Sequence, residues 1–244
     1  MLKKLLGIVG LSRKSSANPP APTRIETFES YKASFEQACR FTKQLGFAVP
    51  TVKWLDSEVL ASDGEFVLQA AELAQIPDFS DSAVQCLKWC HYLRPYFEQA
   101  LGVPVWLTIG QLWNTERAVF KPSWDDLRKW SDEGIRPDVL MAQGRDGIDI
   151  HAWLTVASGE IIEPTLLSSL AKIRPDRDGH HSGGVVWGRP PHMLPVFRHF
   201  PMAVGNEFAE GLNNNPLFPL LARSRDDLAS YPIYIDMPMH VREL

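Results

Sequence analysis

The strongest constraint on the fold is a pair of apolar segments that flank one tight turn. Residues 148–165 have the sequence IDIHAWLTVASGEIIEPT, in which Ala157-Ser158-Gly159 separates two runs rich in Ile, Leu, Val and Trp. Such runs are typical of β-strands, and a short glycine-containing connection between them is typical of a hairpin. The sequence therefore predicts two paired antiparallel strands, 150–157 and 160–165.

A third strand and several helices are predicted upstream of this hairpin. Residues 103–110, VPVWLTIG, form the β-branched and aromatic run of a buried strand. Apolar residues recur at helical spacing in residues 26–46, with Cys39 on the apolar stripe, and residues 64–75 have the pattern of a second helix. We therefore expect an α+β fold in which a helical N-terminal half packs on an antiparallel sheet.

A further helix is predicted to begin at the capping residues Ser80-Asp81-Ser82 and to end at Gly102, with Pro95 bending or splitting it. Cys86 and Cys90 lie four residues apart and share one face of this helix. The partial positive charge of a helix N-terminus stabilises a thiolate. Cys86 is nearer to that end than Cys90 and is the better candidate nucleophile.

The chain divides into a short arm and one domain. Residues 12–23, SRKSSANPPAPT, contain three prolines and three serines, a composition typical of a linker. We expect residues 1–23 to be a flexible N-terminal arm and residues 24–244 to form a single domain. The apolar run Leu5–Leu11 is too short to span a bilayer. It is interpreted as part of a frayed arm, and a weak membrane or secretion address is the alternative.

Charge and cysteine content exclude several classes of protein. The net charge is −4, with 25 basic and 29 acidic residues, and so gives no basic bias for binding nucleic acid. Three cysteines without a CxxC pair indicate neither a disulfide scaffold nor a thiolate zinc site. Reduced thiols favour a cytoplasmic location.

Four histidines lie close together in the C-terminal third of the chain. They are His180, His181, His192 and His199. Their spacing matches no zinc signature, and we therefore expect ordinary loop histidines, with neither a metal nor a cofactor bound.

The hairpin also brings two chemically active side chains together. With the turn at residues 157–159, positions 151 and 163 lie nearly opposite one another, with both side chains on one face. Acyl transfer by cysteine requires a nucleophile, a base and a group that orients the base. Cys86, His151 and Glu163 have the chemistry for these three roles. The alternative is an ordinary His–Glu pair at the open end of a hairpin.

Two segments resemble motifs of the transglutaminase-like family. They are CLKWCHYLRPYFEQALGVPVWLTIG, residues 86–110, and HAWLTVASGEIIEPT, residues 151–165. In that family a helix beginning near the nucleophilic cysteine leads through a glycine turn into a strand. A His-Ala-Trp strand and an acidic residue then follow. The resemblance implies a papain/transglutaminase-like fold with Cys86 as nucleophile, His151 as base and Glu163 in the place usually held by Asp.

The expected function is cysteine-dependent acyl transfer at an amide bond of a protein or peptide, by a protease, amidase, deamidase or transglutaminase. Trp153, two residues after His151, and Gln85, next to Cys86, are candidate substrate-binding residues. The long segment between Gly110 and His151 is a candidate lid or substrate wall. The alternatives are a non-catalytic binding or inhibitor module on the same fold and a metal-dependent hydrolase that uses the later histidines.

Overall fold

The computed structural model describes residues 27–115, 117–144, 148–190, 196–213 and 220–230. Three predictions fall outside these residues. They concern the arm at 1–23, the side chain of His192 and the last strand that the run IYIDM predicts at residues 233–237.

Helices make up most of the N-terminal part of the described chain. Their bounds are α1 Phe28–Gln44, α2 Glu65–Leu73, α3 Cys86–Leu101, α4 Trp124–Glu133, α5 Pro137–Ala142, α6 Leu166–Ile173, α7 Pro175–Asp178, α8 Asn206–Leu212 and α9 Arg225–Ala229. The predicted α1 and α2 are confirmed, and Cys39 lies buried on α1 as expected. Within the described residues, the helices are all too short or too polar to cross a membrane.

The strands form one antiparallel sheet around a long central strand. Their bounds are β1 Val105–Asn114, β2 Arg117–Phe120, β3 His151–Val156, β4 Ile161–Glu163, β5 Val186–Gly188 and β6 Phe197–Val204. Along one edge, the first part of β1, up to Gly110, pairs with β3, and the last part, from Leu112, pairs with β2. On its other edge, β1 pairs with β6. The three predicted strands are confirmed as β1, β3 and β4, and the expected combination of helices with an antiparallel sheet is observed.

The hairpin between β3 and β4 forms at the predicted turn, where Gly159 has φ +86°. Its register pairs Leu154 with Ile162, and therefore places Glu163 opposite Trp153. Glu163 is thus the diagonal neighbour of His151 and does not face it directly, which corrects the predicted register. The two residues still share a face, and long side chains reach across such a diagonal.

The start of α3 differs from the prediction. Residues Ser80–Ser82 form a separate 3₁₀ turn, and α3 begins at Cys86 itself. The reason is that Val84 adopts φ +59°, which no helix tolerates, so the helix cannot begin before it. Pro95 does not split α3, which continues to Leu101. Packing of α3 along β1 and β3 offsets the one hydrogen bond that a proline removes.

Helix α1 is fixed to the sheet by a buried chain of hydrogen bonds. The Trp153 indole N–H donates to the Tyr31 hydroxyl at 2.8 Å, and that hydroxyl lies 2.7 Å from Thr155 Oγ1. Thr155 Oγ1 in turn lies 2.7 Å from Thr108 Oγ1, which donates onward to the backbone. Each hydroxyl therefore accepts from one neighbour and donates to the next, as buried polar groups require. The chain fixes α1 over the sheet face that carries His151.

A glycine brings β6 close to the centre of the sheet. Gly110 pairs with His151 on one edge of β1 and with Pro201 on the other, beside a register shift. A Cβ atom at Gly110 would collide with the Phe200 carbonyl oxygen and lie 3.0 Å from the Trp153 indole. Glycine is therefore needed at this position for the backbones to approach.

We predict that Gly110→Ala lowers the free energy of unfolding by about 1–3 kcal/mol, because the backbone of β6 must shift to make room. Urea denaturation measures this change. Gly179→Ala is the matched control, since a Cβ atom there meets nothing within 4 Å and the φ of −55° suits alanine. Equal stability of the two variants would contradict the close approach.

Candidate functional site

Cys86 is the first residue of α3 and is only partly buried. Its Sγ lies 3.9 Å from the carbonyl oxygen of Ile150, the residue just before β3. The Cys86 side chain is also close enough to His151 to raise the pKa of its imidazole. The helix N-terminus therefore presents Cys86 directly to the start of β3, where its partial positive charge favours an anion.

A strained turn holds Cys86 in this place. Val84, two residues upstream, is β-branched and has φ +59°, a conformation that such residues rarely adopt. Its N–H donates to Ser169 Oγ at 2.9 Å, and that hydroxyl donates to the Thr165 carbonyl oxygen at 2.7 Å. Helix α6 thus stabilises a backbone conformation that would be unfavourable alone, as is common beside functional residues.

His151 is enclosed between two aromatic rings. Its imidazole stacks on Phe120 at a centroid distance of 5.4 Å and on Trp153 at 5.8 Å, and the residue is 2% exposed. Its Nε2 lies 2.6 Å from Glu163 Oε1, so Nδ1 is the ring nitrogen that this carboxylate does not contact. Phe120 belongs to the long segment between Gly110 and His151, so part of that segment forms a wall of the site.

Glu163 is completely buried and receives two imidazole nitrogens on one oxygen. His151 Nε2 and His199 Nε2 each lie 2.6 Å from Glu163 Oε1. Glu163 Oε2 is buried without a hydrogen-bond partner among the described residues. The structure therefore brings together the three predicted residues Cys86, His151 and Glu163, and it adds His199 as a fourth.

His199 was expected to be a loop histidine, and that expectation is wrong for this residue. It lies in β6, where it pairs with Leu112 of β1. Leu112 shares a face with Gly110, which pairs with His151, so His199 projects from the same face as His151. His180, by contrast, lies in the 3₁₀ turn Gly179–His181. The aromatic and apolar residues of FRHFPMAV were the available signal for a strand, and the proline within the run argued against it.

The charges of the cluster follow from burial and from these contacts. Burial lowers the pKa of His151, but the Glu163 charge and the neighbouring Cys86 outweigh burial and raise this pKa to about 10. Burial raises the pKa of Glu163, and the His151 charge together with bonds from both histidines outweighs it, giving about 2. Burial keeps the pKa of His199 below its ordinary value despite Glu163. At neutral pH the site thus holds a His151 imidazolium, a Glu163 carboxylate and a neutral His199.

His151, Glu163 and His199 also have the chemistry of metal ligands, and their ligand atoms lie within 4.8 Å of one another. Zinc bonds of about 2.0–2.2 Å in tetrahedral geometry separate ligand atoms by roughly 3.3 Å. The observed nitrogen–oxygen distances of 2.6 Å are shorter and are those of charge-assisted hydrogen bonds. The geometry therefore favours shared protons over a metal ion at these atoms.

The two candidate substrate-binding residues lie next to the catalytic candidates. Trp153 is fully buried and packs against the rings of His151 and His199. Gln85 is 2% exposed, and its Nε2 donates to the Asp81 carbonyl oxygen at 3.0 Å. Contact with a substrate stays a prediction for both. Trp153 supports the imidazoles from within, and Gln85 braces the turn before α3.

Cys90 lies one turn deeper in α3 and is fully buried. Its Sγ lies 3.4 Å from the Ala152 carbonyl oxygen, and burial raises the pKa of the Cys90 thiol well above its ordinary value. A protonated, inaccessible thiol is a poor nucleophile. The structure thus distinguishes the two cysteines as the position along the helix predicted.

Comparisons of the chain with protein-family models, with curated proteins and with solved structures find no match. The functional interpretation therefore depends on the geometry of the site and on the motif resemblance.

We predict that the stabilising effect of Glu163 depends on pH in a defined window. Its pKa falls from 4.5 to about 2 in the folded protein, so its contribution is complete above pH 4.5 and is lost as the pH falls towards 2. The pKa of His151 rises from 6.5 to about 10, so its contribution is complete below pH 6.5 and is lost as the pH rises towards 10.

The difference in free energy of unfolding between the wild type and Glu163→Gln should therefore be largest between pH 4.5 and 6.5 and should shrink on both sides. Urea denaturation across this range measures it. Glu72→Gln, at an exposed position on α2, serves as the control and should show no such maximum. A difference that is constant with pH would contradict the ion pair.

Proposed function

We propose that the protein is a cysteine-dependent acyl-transfer enzyme acting on amide bonds of a protein or peptide, with a papain/transglutaminase-like arrangement of Cys86, His151 and Glu163. One observation carries this proposal. A partly buried cysteine at a helix N-terminus has its Sγ 3.9 Å from the carbonyl oxygen of Ile150, the residue before a buried histidine that lies 2.6 Å from a buried carboxylate. A nucleophile, a base and an orienting group are thereby connected in the order that the chemistry uses.

The proposed reaction begins with the Cys86 thiolate and the His151 imidazolium. The sulfur attacks the amide carbonyl carbon, forming the C–S bond. As the C–N bond breaks, the His151 proton passes to the leaving amine. Water, or a second amine, then attacks the thioester while His151 accepts its proton, and the Cys86 thiolate leaves. Glu163 remains ionised and stabilises the imidazolium when it forms again.

The developing oxyanion needs hydrogen-bond donors. The backbone N–H of Cys86 belongs to the first turn of α3 and so has no acceptor within the helix. It is therefore the proposed donor, and the partial positive charge of the helix N-terminus adds to it. Catalysis needs neither a metal nor a cofactor in this scheme, and the acceptor alone decides between hydrolysis and transfer.

A reducing compartment fits this chemistry. Cys39, Cys86 and Cys90 are all free thiols. We propose a cytoplasmic location, because a nucleophilic thiolate persists where thiols are kept reduced.

The first test is selective alkylation. At neutral pH, iodoacetamide should modify Cys86 about tenfold or more faster than the other two cysteines. Burial raises the pKa of Cys39 to about 12 and that of Cys90 well above its ordinary value, whereas Cys86 is partly exposed beside His151. Peptide mass spectrometry measures the three rates. Equal rates at Cys86 and Cys90 would be evidence against a nucleophilic site.

The second test is acylation by an activated ester, with p-nitrophenyl acetate as the probe. Cys86→Ala should abolish acylation, and His151→Ala should slow it by about 10²–10⁴-fold because the base is lost. Glu163→Gln should have a smaller effect, since glutamine still accepts a hydrogen bond from the imidazole but carries no charge. Release of p-nitrophenol measures the rate.

Cys90→Ala is the matched control and should leave acylation nearly unchanged. If Cys90→Ala abolished acylation and Cys86→Ala did not, the nucleophile would be assigned to the wrong turn of α3. If both variants kept the wild-type rate, the alternative of a non-catalytic binding or inhibitor module would replace the enzyme.

A further inference from the structure

We propose that His199 is a positioning residue that holds the carboxylate of Glu163 against His151. The site then consists of four residues, Cys86, His151, Glu163 and His199. This inference depends on the proposed function for its catalytic consequence. Its structural part depends only on the hydrogen bond between His199 and Glu163.

The first argument concerns the freedom of Glu163. A glutamate has one more rotatable bond than an aspartate, and here it reaches His151 along a diagonal of the hairpin. Its Oε2 has no hydrogen-bond partner among the described residues, so a single bond from His151 would leave the carboxylate poorly fixed. His199 supplies the second bond, at 2.6 Å and on the same oxygen. Two donors that bind Oε1 from different strands restrict its position more than one donor would.

The second argument concerns the way the sheet brings His199 to this place. Strands β1 and β3 lie between β6 and β4, and the side chains of His199 and Glu163 meet above them. Gly110 of β1, which pairs with His151, has no side chain that could block this contact. The Trp153 ring packs against the His199 ring at a centroid distance of 5.1 Å and an angle of 68°. His199 is 2% exposed. The imidazole is therefore locked by packing, which a positioning residue needs.

The third argument concerns charge. A protonated His199 would place a second imidazolium beside His151, with ring centroids 5.9 Å apart. Burial, His151 and Arg198 all lower the pKa of His199. A neutral His199 with its proton on Nε2 donates a hydrogen bond to Glu163 but forms no second ion pair with it. The ion pair of the cluster is therefore the one between Glu163 and His151.

The other titratable groups facing the cluster do not alter this balance. Burial raises the pKa of Tyr31 on α1 and of Cys90 on α3, so both are uncharged at neutral pH. The groups that set the charge of the cluster are His151, Glu163, His199, Cys86 and Arg198.

The experiment titrates the histidines of three variants and of the wild type, and ¹⁵N NMR monitors the protonation of each imidazole. His199→Phe keeps a ring but removes the donor, and His199→Gln keeps an N–H that can reach Glu163. His181→Phe, at an exposed position in the 3₁₀ turn, is the matched control. In His199→Phe the titration midpoint of His151 should fall by about one pH unit, because the carboxylate of Glu163 is no longer held against the imidazole and the ion pair weakens. His199→Gln should recover most of this fall, and His181→Phe should show none.

Three outcomes would overturn the proposal. One is a folded His199→Phe variant in which His151 titrates as in the wild type. Another is a wild-type ¹⁵N spectrum in which His199 is an imidazolium at neutral pH, a measurement that needs no variant to fold. The third is stoichiometric binding of Zn²⁺ to the wild type in equilibrium dialysis, lost in His199→Phe, which would make His199 a metal ligand.

The readout is independent of catalysis. If the titrations follow the expectation but Cys86 neither alkylates selectively nor acylates, the positioning role of His199 stands and the proposed enzyme fails. If acylation occurs and the His151 midpoint does not respond to His199, the enzyme stands and the positioning role fails.

Discussion

The buried ion pair between His151 and Glu163 is the interaction on which the rest of the site depends. Removing two charges from water costs several kcal/mol for each ion, and such a pair persists only where geometry and further hydrogen bonds compensate. Here the compensation comes from distant parts of the chain. Helix α3 brings the Cys86 thiol, β2 brings the ring of Phe120, and β6 brings the second imidazole. The pair thus explains why these elements meet at one face of the sheet.

Much of this arrangement was predictable because it is local. The hairpin is encoded within residues 148–165, and once its turn is placed, the period of two along a strand puts His151 and Glu163 on one face. A shift of the strand pairing by two positions, however, would also leave His151 and Glu163 on one face. The diagonal relation between the two side chains therefore emerged only from the register that pairs Leu154 with Ile162.

Other features were hidden by long-range context. Strand β6 contains Pro201, which argues against a strand in a sequence pattern, and the proline is accommodated because it sits beside the register shift at Gly110. His199 was missed together with that strand. The start of α3 was predicted too early because Ser82 is a good capping residue, whereas the positive φ of Val84 is stabilised by Ser169, a residue far along the chain. The prediction used the capping propensity of Ser82, whereas the contact between Val84 and Ser169 sets the observed start of the helix.

The order of these elements along the chain has a consequence for synthesis. Chains leave the ribosome N-terminus first, at about 5–20 residues per second. Cys86, His151 and Glu163 all emerge before β6, the strand at Phe197–Val204 that carries the second donor to the carboxylate. A nascent chain that ends before this strand contains Cys86, His151 and Glu163 but lacks the hydrogen bond from His199 to the carboxylate. The cluster of these four side chains can therefore form only after β6 has been synthesised, although three of its members are made earlier.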